Sequence, residues 1–344
     1  FGEMIMNQTK KKNPLKRLLS MRGMGQVVTV TIGLIVLLVA FALINPNFWS
    51  PTNRTNLLRQ IAPILIIGIA QSYVLITGNI DLSIGSVVGM STMVAATLMS
   101  KGIMSPIPAL LVTLLCCLLI GVLNGLLVAK FKLPPFIATL GTMTVARGIA
   151  QLVNGNYNTD SIMKFYPEAA QTFKNVFYYG KTLGLYNGIW IAIILWIVFN
   201  FLLSKTRTGR YIYATGSNID AARLSGVNVV STTVIAYVVS AFCSFVVGII
   251  TCATVGQGTM DAGNSYEMYA VAASVIGGVS TLGGQGILLG TVVGAAIWGT
   301  LQNGLQFAGA PVAIRNIIIG IIVVLSVLMD VVIRTGRRNT KVSD

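Results

Sequence analysis

The stretch VVTVTIGLIVLLVAFALI at residues 27–44 decides the fold class of this chain. It carries no charge, and an apolar run of roughly 20 residues can cross the hydrocarbon core of a membrane as one helix. Runs of this kind recur as far as residue 333 with only brief interruptions. The composition agrees, because 54% of the 344 residues are hydrophobic and 10% are charged, whereas a soluble domain has roughly 25% charged residues. The sequence therefore predicts an all-α integral membrane protein with no separate soluble domain.

The apolar runs predict about ten transmembrane helices, which together form one transmembrane domain at residues 27–333. Each run is bounded by polar residues, proline or glycine. The predicted helices cover residues 27–44, 61–77, 82–99, 106–128, 134–153, 188–203, 232–254, 266–281, 286–307 and 313–333.

Lysine and arginine set the expected orientation of these helices. If residues 1–26 lie in the cytoplasm, the inside segments carry more than twice as many Lys and Arg residues as the outside segments. The positive-inside rule thus predicts that both termini, the basic segment 1–26 and the tail 334–344, are cytoplasmic. The same rule accounts for the net charge of +15 without nucleic acid as a partner.

This orientation assigns the two longest polar segments to opposite sides of the membrane. Residues 206–230 fall in the cytoplasm, and residues 154–187 form the longest external loop. The aromatic residues and mixed charge of the external loop suit a lid on the membrane surface or a docking face for an external partner. An interfacial aromatic belt is the alternative interpretation.

Two pairs of segments suggest an internal repeat. GNIDLSIGSVVG at 78–89 has a loose counterpart in GNSYEMYAVAAS at 263–274, and NGLLVAKFKLPP at 124–135 has one in NGLQFAGAP at 303–311. The third predicted helix runs outward and the eighth runs inward, so the two repeats would be inverted, which is a recurring architecture of transporters. Chance similarity among apolar segments is the alternative.

Two carboxylates lie at the starts of apolar runs, where an ionisable group costs a few kcal/mol and needs a reason. Asp81 is interpreted as an N-cap that accepts from exposed backbone N–H groups, a role compatible with lining a pathway. Glu267 is expected in the first turn of a helix. Carboxylates at two helix starts favour a site built from discontinuous helices. The other intramembrane polar residues are expected to form interhelical hydrogen bonds, or in the case of Arg147 to snorkel: Gln71, Asn124, Arg147, Gln302 and Asn303.

Missing residue types exclude several functions. The sequence has no histidine, which excludes a Ser-His-Asp triad and a histidine-based metal site. It contains no G-x-x-x-x-G-K-[ST] motif, so the chain is not its own P-loop ATPase. Its four cysteines lie in apolar runs without the C-x-x-C spacing of a metal or redox site. We therefore expect a protein that is not an enzyme, with no catalytic residue, no bound metal and no cofactor.

Four segments together resemble a known family. They are GNIDLSIGSVVG at 78–89, PPFIATLGTM at 134–143, TRTGRYIYATGSNIDAARLSGVNV at 206–229 and SYEMYAVAASVIGGVSTLGGQGILLGTVVGA at 265–295. In this order they closely resemble the membrane-permease subunit of bacterial ATP-binding-cassette importers for ribose-type monosaccharides, and the resemblance covers about residues 27–333.

The resemblance implies a permease domain of about ten helices in the lipid of the bacterial cytoplasmic (inner) membrane. It also implies three protein partners: a cytoplasmic ATPase subunit, an extracytoplasmic sugar-binding protein and a second permease copy in a homodimer or pseudo-dimer.

In this family the segment that matches residues 216–226 is the cytoplasmic coupling region, which seats in the ATPase. The residue types suit that role. Glycine can break the backbone at both ends of a short helix, Ser217 or Asn218 can cap it, alanines allow close approach, and arginine offers a directional charged contact. The predicted coupling residues are Gly216, Asn218, Ala221, Ala222, Arg223, Leu224 and Gly226. A solvated inter-helix loop is the alternative.

The pathway for the substrate is predicted around the two carboxylates. Tyr269 stands where relatives commonly have an aspartate, and its phenol can stack on a sugar and also form a hydrogen bond. The expected cargo is a monosaccharide. The alternatives are a nucleoside, a furanose-like signal or a branched-chain amino acid in the same fold, or ion-coupled secondary transport. The predicted pathway residues are Asn79, Asp81, Ser83, Asn264, Tyr266, Glu267 and Tyr269.

Overall fold

The computed structural model describes residues 24–340, with the side chains of 319 and 333–340 excepted. Most of the predicted basic segment 1–26, and residues 341–344 of the predicted tail, lie outside the described residues. The α-helices in chain order are α1 Met24–Ile44, α2 Pro51–Ile76, α3 Ile84–Ser100, α4 Pro106–Ala129, α5 Pro135–Leu152, α6 Pro167–Lys174, α7 Asn187–Lys205, α8 Arg207–Ser217, α9 Ile219–Leu224, α10 Val229–Val255, α11 Tyr266–Ile276, α12 Leu288–Phe307 and α13 Val312–Thr340.

Three smaller elements complete the described chain. A 3₁₀-helix at Pro46–Trp49 joins α1 to α2, and a π-helical turn at Asn175–Tyr179 follows α6. Strands β1, Lys181–Thr182, and β2, Leu185–Tyr186, form a short antiparallel hairpin. The predicted loop at 154–187 is therefore folded into a helix, a π turn and a hairpin.

Among the described residues, six helices are long and apolar enough to cross a membrane: α1, α2, α4, α7, α10 and, in α13, Val312–Val332. The apolar helices α3 and α11 are shorter, with 17 and 11 residues. The eighth predicted helix, residues 266–281, is therefore too long by several residues, because the chain leaves the helix after Ile276 through Gly277 and Gly278.

Other predicted boundaries also differ from the structure. Helix α2 begins at Pro51 instead of residue 61, since Ser50 accepts a hydrogen bond from the Asn53 N–H and proline suits the first helical position. Its polar first turns hid this start, and Arg54 lies on the helix instead of in a loop. At the other end of the chain, α13 continues beyond the predicted boundary at residue 333 to Thr340.

Helices α2 and α10 run antiparallel at the centre of the bundle. In the first half of α2, Arg59 lines the same small cavity as Ile250, which lies near the end of α10. Beyond the other end of α2, the Ile80 carbonyl accepts a hydrogen bond of 3.0 Å from Tyr237, in the first half of α10. Each long helix therefore passes the other in the opposite direction.

The neighbours of these two helices follow the same pattern in both halves of the chain. Helix α10 packs against α3 and α4, which follow α2 in sequence, and α2 packs against α11 and α12, which follow α10. In each half a long helix precedes a short apolar helix, and a non-helical segment separates the two.

The bundle has two ends, named here by their elements. The hairpin end holds the starts of α2, the ends of α10 and α12, and residues 154–187. There the Arg59 guanidinium lies between the rings of Tyr178 and Tyr186, 4.1 and 4.0 Å from their centroids. The α9 end holds α8, α9, the end of α2 and the loop 277–287, in which the Gly284 N–H donates to the Ile76 carbonyl at 2.8 Å.

The segment 154–187 is anchored to the hairpin end by backbone contacts. The Thr159 N–H donates to the Gly258 carbonyl at 2.9 Å, and the Tyr179 hydroxyl donates to the Thr254 carbonyl at 2.9 Å. On its surface Lys164 donates to the Asp160 carboxylate at 2.6 Å, and this hydrogen bond lowers the pKa of Asp160 below its ordinary value.

Candidate functional site: two short helices and a surface helix

Helices α3 and α11 begin beside each other in the interior of the bundle. A Cβ on Gly85, in the first turn of α3, would collide with the Gly263 carbonyl and the Glu267 carboxylate. Ser265 adopts a left-handed conformation, with φ of 65°, directly before α11. Glu267 lies in the first turn of α11, as predicted. The positive ends of two helix dipoles thus meet at one place, which is an arrangement that attracts polar or anionic groups.

Arg147 fixes the segment that leads into α11. Its guanidinium Nη1 donates to the carbonyls of Met260 at 3.2 Å and Ala262 at 2.9 Å, and it lies in the electrostatic field of Glu267 and Asp261. Hydrogen bonding was the first expectation for Arg147, and the side chain does form hydrogen bonds, reaching from α5 past Gly89 of α3 to these carbonyls.

Asp81 belongs to a chain of buried hydrogen bonds that joins four helices. Its Oδ1 accepts from the Ser83 backbone N–H at 2.8 Å and from the Ser83 hydroxyl at 2.6 Å, and its Oδ2 accepts from the Ser240 hydroxyl of α10 at 2.7 Å. The Asn124 amide of α4 donates to the Ser83 hydroxyl at 2.9 Å and accepts from the Thr142 hydroxyl of α5 at 2.6 Å. These bonds fix the start of α3 against its neighbours.

The N-cap interpretation of Asp81 needs correction. Ser83 occupies the N-cap position of α3, and Asp81 lies two residues before it. The Asp81 side chain is only 2% exposed and each of its oxygens accepts a hydrogen bond, so it supports the helix start from the interior. Ser83 is buried in the same way.

The predicted pathway residues of α11 form an aromatic wall with α12. The rings of Tyr266 and Tyr269 lie 5.6 Å apart, and Tyr269 lies 5.4 Å from the ring of Trp298. Gln302, one turn after Trp298, is beside the Tyr269 hydroxyl. Trp298 is fully buried behind Tyr269, so the wall offers the half-buried rings of the two tyrosines together with phenol and amide groups, the combination that a polyol needs.

The structure separates the remaining predicted pathway residues. Asn264 is exposed and donates to Asp261 at 3.3 Å, near the start of α11. Asn79 instead bonds to the Thr77 hydroxyl at 2.8 Å and lines a cavity of about 790 Å³ at the α9 end, together with Asn218 and Arg223. The seven predicted residues therefore divide among the buried hydrogen-bond chain, the aromatic wall, the start of α11 and the α9 end.

The predicted short helix in residues 206–230 is present as α9. The Asn218 side chain caps it, because Oδ1 accepts from the backbone N–H groups of Asp220 at 3.0 Å and Ala221 at 2.9 Å. Gly226 follows the helix with φ of 80°, a conformation that glycine adopts without strain. Leu224 is 90% exposed, and Arg223 lies on the surface 3.7 Å from Asp220.

Two predicted coupling residues have a different environment from the one expected. Gly216 does not break the backbone; it lies inside α8, where a Cβ would collide with the Ile76 carbonyl and approach the Gly284 nitrogen to 2.6 Å. Ala222 is buried against the protein itself, so only Ala221 of the two alanines is exposed.

Comparison with known proteins identifies the family. Residues 53–327 match the family described as "Branched-chain amino acid transport system / permease component". The chain belongs to this permease family.

Three similar relatives are named as sugar permeases. The ribose import permease protein of Haemophilus influenzae is 38% identical, with 87% of this chain and 91% of the relative covered. That of Bacillus subtilis is 35% identical, with 90% and 94% covered. The galactose/methyl galactoside import permease protein of Escherichia coli is 33% identical, with 86% and 92% covered. No solved structure matches the chain. The protein is an integral membrane permease.

Sequence patterns missed the loop that supports α8 in this permease. The Tyr213 hydroxyl donates to the Gly286 carbonyl at 2.6 Å, and the Asp330 carboxylate accepts from the Thr281 backbone N–H at 3.1 Å and its hydroxyl at 3.0 Å. The cluster of glycines at 283–286 was the available signal, since tight turns and close backbone approach require glycine.

Proposed function

We propose that this chain is the membrane-permease subunit of an ATP-binding-cassette importer in the bacterial cytoplasmic (inner) membrane, and that it conducts a monosaccharide. The sugar is delivered by an extracytoplasmic binding protein, and a separate cytoplasmic ATPase subunit supplies the energy. The observation that carries this proposal is the aromatic wall of Tyr266, Tyr269 and Trp298 between α11 and α12, in a chain whose named relatives import ribose and galactose.

The same relatives favour a sugar over the other cargoes in this fold. A zwitterionic amino acid needs a free cation and a free anion in the pathway. Arg147 donates hydrogen bonds to two carbonyls and lies in the electrostatic field of Glu267, so it does not serve as a free cation. The aromatic wall itself presents neutral hydrogen-bonding groups.

We propose in addition that α2–α5 and α10–α13 are inverted repeats. The antiparallel course of α2 and α10 and the exchanged packing of α3 and α11 support this arrangement. If the short helices α3 and α11 also count as spans, the chain crosses the membrane ten times. Both termini and α9 then lie in the cytoplasm, and residues 154–187 lie outside.

Under this topology the partners bind at opposite ends. The exposed face of α9, with Ala221, Arg223 and Leu224, suits a groove in the ATPase, because an apolar side chain flanked by a cation resembles a small interface core with a polar rim. Residues 154–187 at the hairpin end suit the binding protein. A second permease copy completes a homodimer, with the pathway between the two copies.

Reconstitution tests the assignment. The permease is placed in proteoliposomes with its ATPase and binding protein, and uptake of radiolabelled D-ribose and D-galactose is measured with ATP inside. We expect uptake that requires ATP and survives ionophores. Uptake that persists without ATP and stops when the ion gradient is dissipated would establish ion-coupled secondary transport instead.

The coupling face has its own test in the Leu224→Ala variant. We expect ATPase stimulation by the permease to fall about tenfold, because an exposed leucine that becomes buried in an interface contributes about 1.5–3 kcal/mol. Leu119→Ala is the matched control, since Leu119 is 59% exposed in the middle of α4, away from both proposed docking surfaces. Equal ATPase stimulation by both variants would remove α9 from the coupling mechanism.

A further inference from the structure

An open pocket of amide side chains lies at the hairpin end, between the start of α2 and the end of α12. Its cavity volume is about 280 Å³. We call it the amide pocket, and its lining residues that carry the argument are Asn53, Asn56, Gln60, Asn303, Gln306 and Phe307.

The floor of the amide pocket is rigid. Asn53 and Asn303 are buried and exchange reciprocal hydrogen bonds of 2.8 and 3.1 Å, and Asn53 also donates to the Phe48 carbonyl at 2.8 Å. The second Asn303 hydrogen points toward Gln60 Oε1 at 3.4 Å. The floor therefore holds α2 and α12 at a fixed separation.

The rim of the pocket offers hydrogen-bonding groups to a ligand. Asn56, Gln60 and Gln306 are exposed. No hydrogen bond within the described residues uses the Asn56 or Gln306 amide groups. A primary amide presents a donor and an acceptor side by side, which matches a sugar hydroxyl because the hydroxyl also donates and accepts.

The charge of the pocket narrows the ligand class. Although the chain carries a net charge of +15, the described residues place no ionisable side chain in the lining of the pocket. An anion or a zwitterion would lose hydration here without gaining an opposite charge. A neutral polyol loses only hydroxyl hydration, which the amides replace, and the Phe307 ring offers an apolar face to the C–H side of a sugar. The volume suits one small ligand.

Helix α12 runs from the amide pocket toward the aromatic wall. Gln302 lies one helical turn before Gln306 on α12, and it contacts Tyr269. A ligand that leaves the amides of Gln306 thus meets the amide of Gln302 and the phenol of Tyr269 next.

We propose that the amide pocket is an outer binding site, which receives one neutral monosaccharide from the hairpin end before the sugar reaches Tyr269. This inference rests on the proposed function, since it assumes that the permease conducts a sugar.

The test uses the complete importer in proteoliposomes and the double variant Gln60→Leu, Gln306→Leu. Both positions are exposed and leucine is close in size, so the fold is retained. We expect the number of D-ribose or D-galactose molecules imported per ATP hydrolysed to fall about tenfold or more, the change expected from losing two ordinary hydrogen bonds. ATP hydrolysis stimulated by the binding protein should be unchanged. Gln151→Leu, an exposed amide in the last turn of α5, is the matched control.

Three results would overturn the inference. Unchanged sugar per ATP in the double variant would show that the pocket does not handle the sugar. If the double variant loses both sugar uptake and the stimulation of ATP hydrolysis by the binding protein, the pocket is a docking surface for that protein. A wild-type importer that moves neither sugar would overturn the proposed function and this inference together, whereas the first two results leave the proposed function intact.

A second measurement reports occupancy directly. In the variant Gln306→Cys, D-ribose at saturating concentration should slow labelling by a water-soluble thiol reagent about threefold or more, because a bound ligand covers the position. Labelling at the same rate with and without both sugars would contradict occupancy of the pocket.

Discussion

The variant Gly216→Ala tests how the α9 end is built. Gly216 lies where α8 crosses the end of α2 and the loop 277–287, and a Cβ there would collide with the Ile76 carbonyl. That carbonyl accepts the 2.8 Å hydrogen bond from the Gly284 N–H. One added methyl group must therefore displace the Ile76 carbonyl oxygen, which already accepts this hydrogen bond.

The expected magnitude follows from these contacts. Overpacking costs about 1–3 kcal/mol, and loss of the buried backbone hydrogen bond costs about 1–3 kcal/mol. Alanine recovers about 1 kcal/mol of helix propensity relative to glycine. The net destabilisation is then about 3 kcal/mol, which corresponds to a thermal midpoint lowered by about 5 °C in a chain of this size.

The assay compares Gly216→Ala with Gly141→Ala. Gly141 also lies inside a helix, α5, but no atom lies within 4 Å of its added Cβ. We expect Gly141→Ala to keep or slightly raise the thermal midpoint of the purified protein, and Gly216→Ala to lower it and to reduce sugar imported per ATP. Equal midpoints and equal transport in the two variants would refute the close-contact interpretation of Gly216.

Three further predictions concern single hydrogen bonds and contacts. Asp81→Ala leaves the Ser83 and Ser240 donors unpaired and should destabilise the purified protein by about 3 kcal/mol or more in thermal unfolding, while Asp220→Ala on the exposed face of α9 should change stability by less than about 0.5 kcal/mol. Tyr269→Phe keeps the ring against Trp298 but removes the hydroxyl, so sugar uptake should fall about fivefold with protein stability unchanged. Thr281→Val removes the 3.0 Å hydroxyl bond to Asp330 and should cost about 1 kcal/mol in thermal unfolding with sugar uptake retained.

Helix positions were predictable where a proline or a charged residue bounds the apolar run. Predicted helix 106–128 differs from α4 by one residue, because Pro106 starts it and the polar Lys130 ends it. The start of α2 was not predictable from hydropathy, since its first turns are polar and lie at an aqueous end of the bundle. The Asn218 cap of α9 was predictable because its hydrogen bonds are local.

The interior of the site depends on contacts that local patterns do not encode. Asp81 was identified as unusual, but its partner Ser240 is separated from it by 159 positions and looks like any serine in an apolar run. The meeting of α3 and α11 at Gly85 and Gly263 required the fold, although the two Gly-Asn turns suggested that the segments correspond.

The glycines at the α9 end bring α8 into backbone contact with the segments that flank the two short helices α3 and α11. Gly78, Gly216, Gly283 and Gly284 touch through backbone atoms, so no side-chain rotamer is available there to absorb a displacement of α8. Gly78 leads within a few residues to α3, and the loop 277–287 follows α11 directly. Both discontinuous helices are thus attached to the point on which α8 rests. A motion that the ATPase imposes on α9 should therefore reach the start of α3 and the end of α11 together, and Gly216→Ala and Tyr269→Phe should lower sugar imported per ATP through the same step. If so, the double variant Gly216→Ala, Tyr269→Phe will import only slightly less sugar per ATP than the single variant with the larger loss. If the two losses instead multiply in full, the two residues act in independent steps.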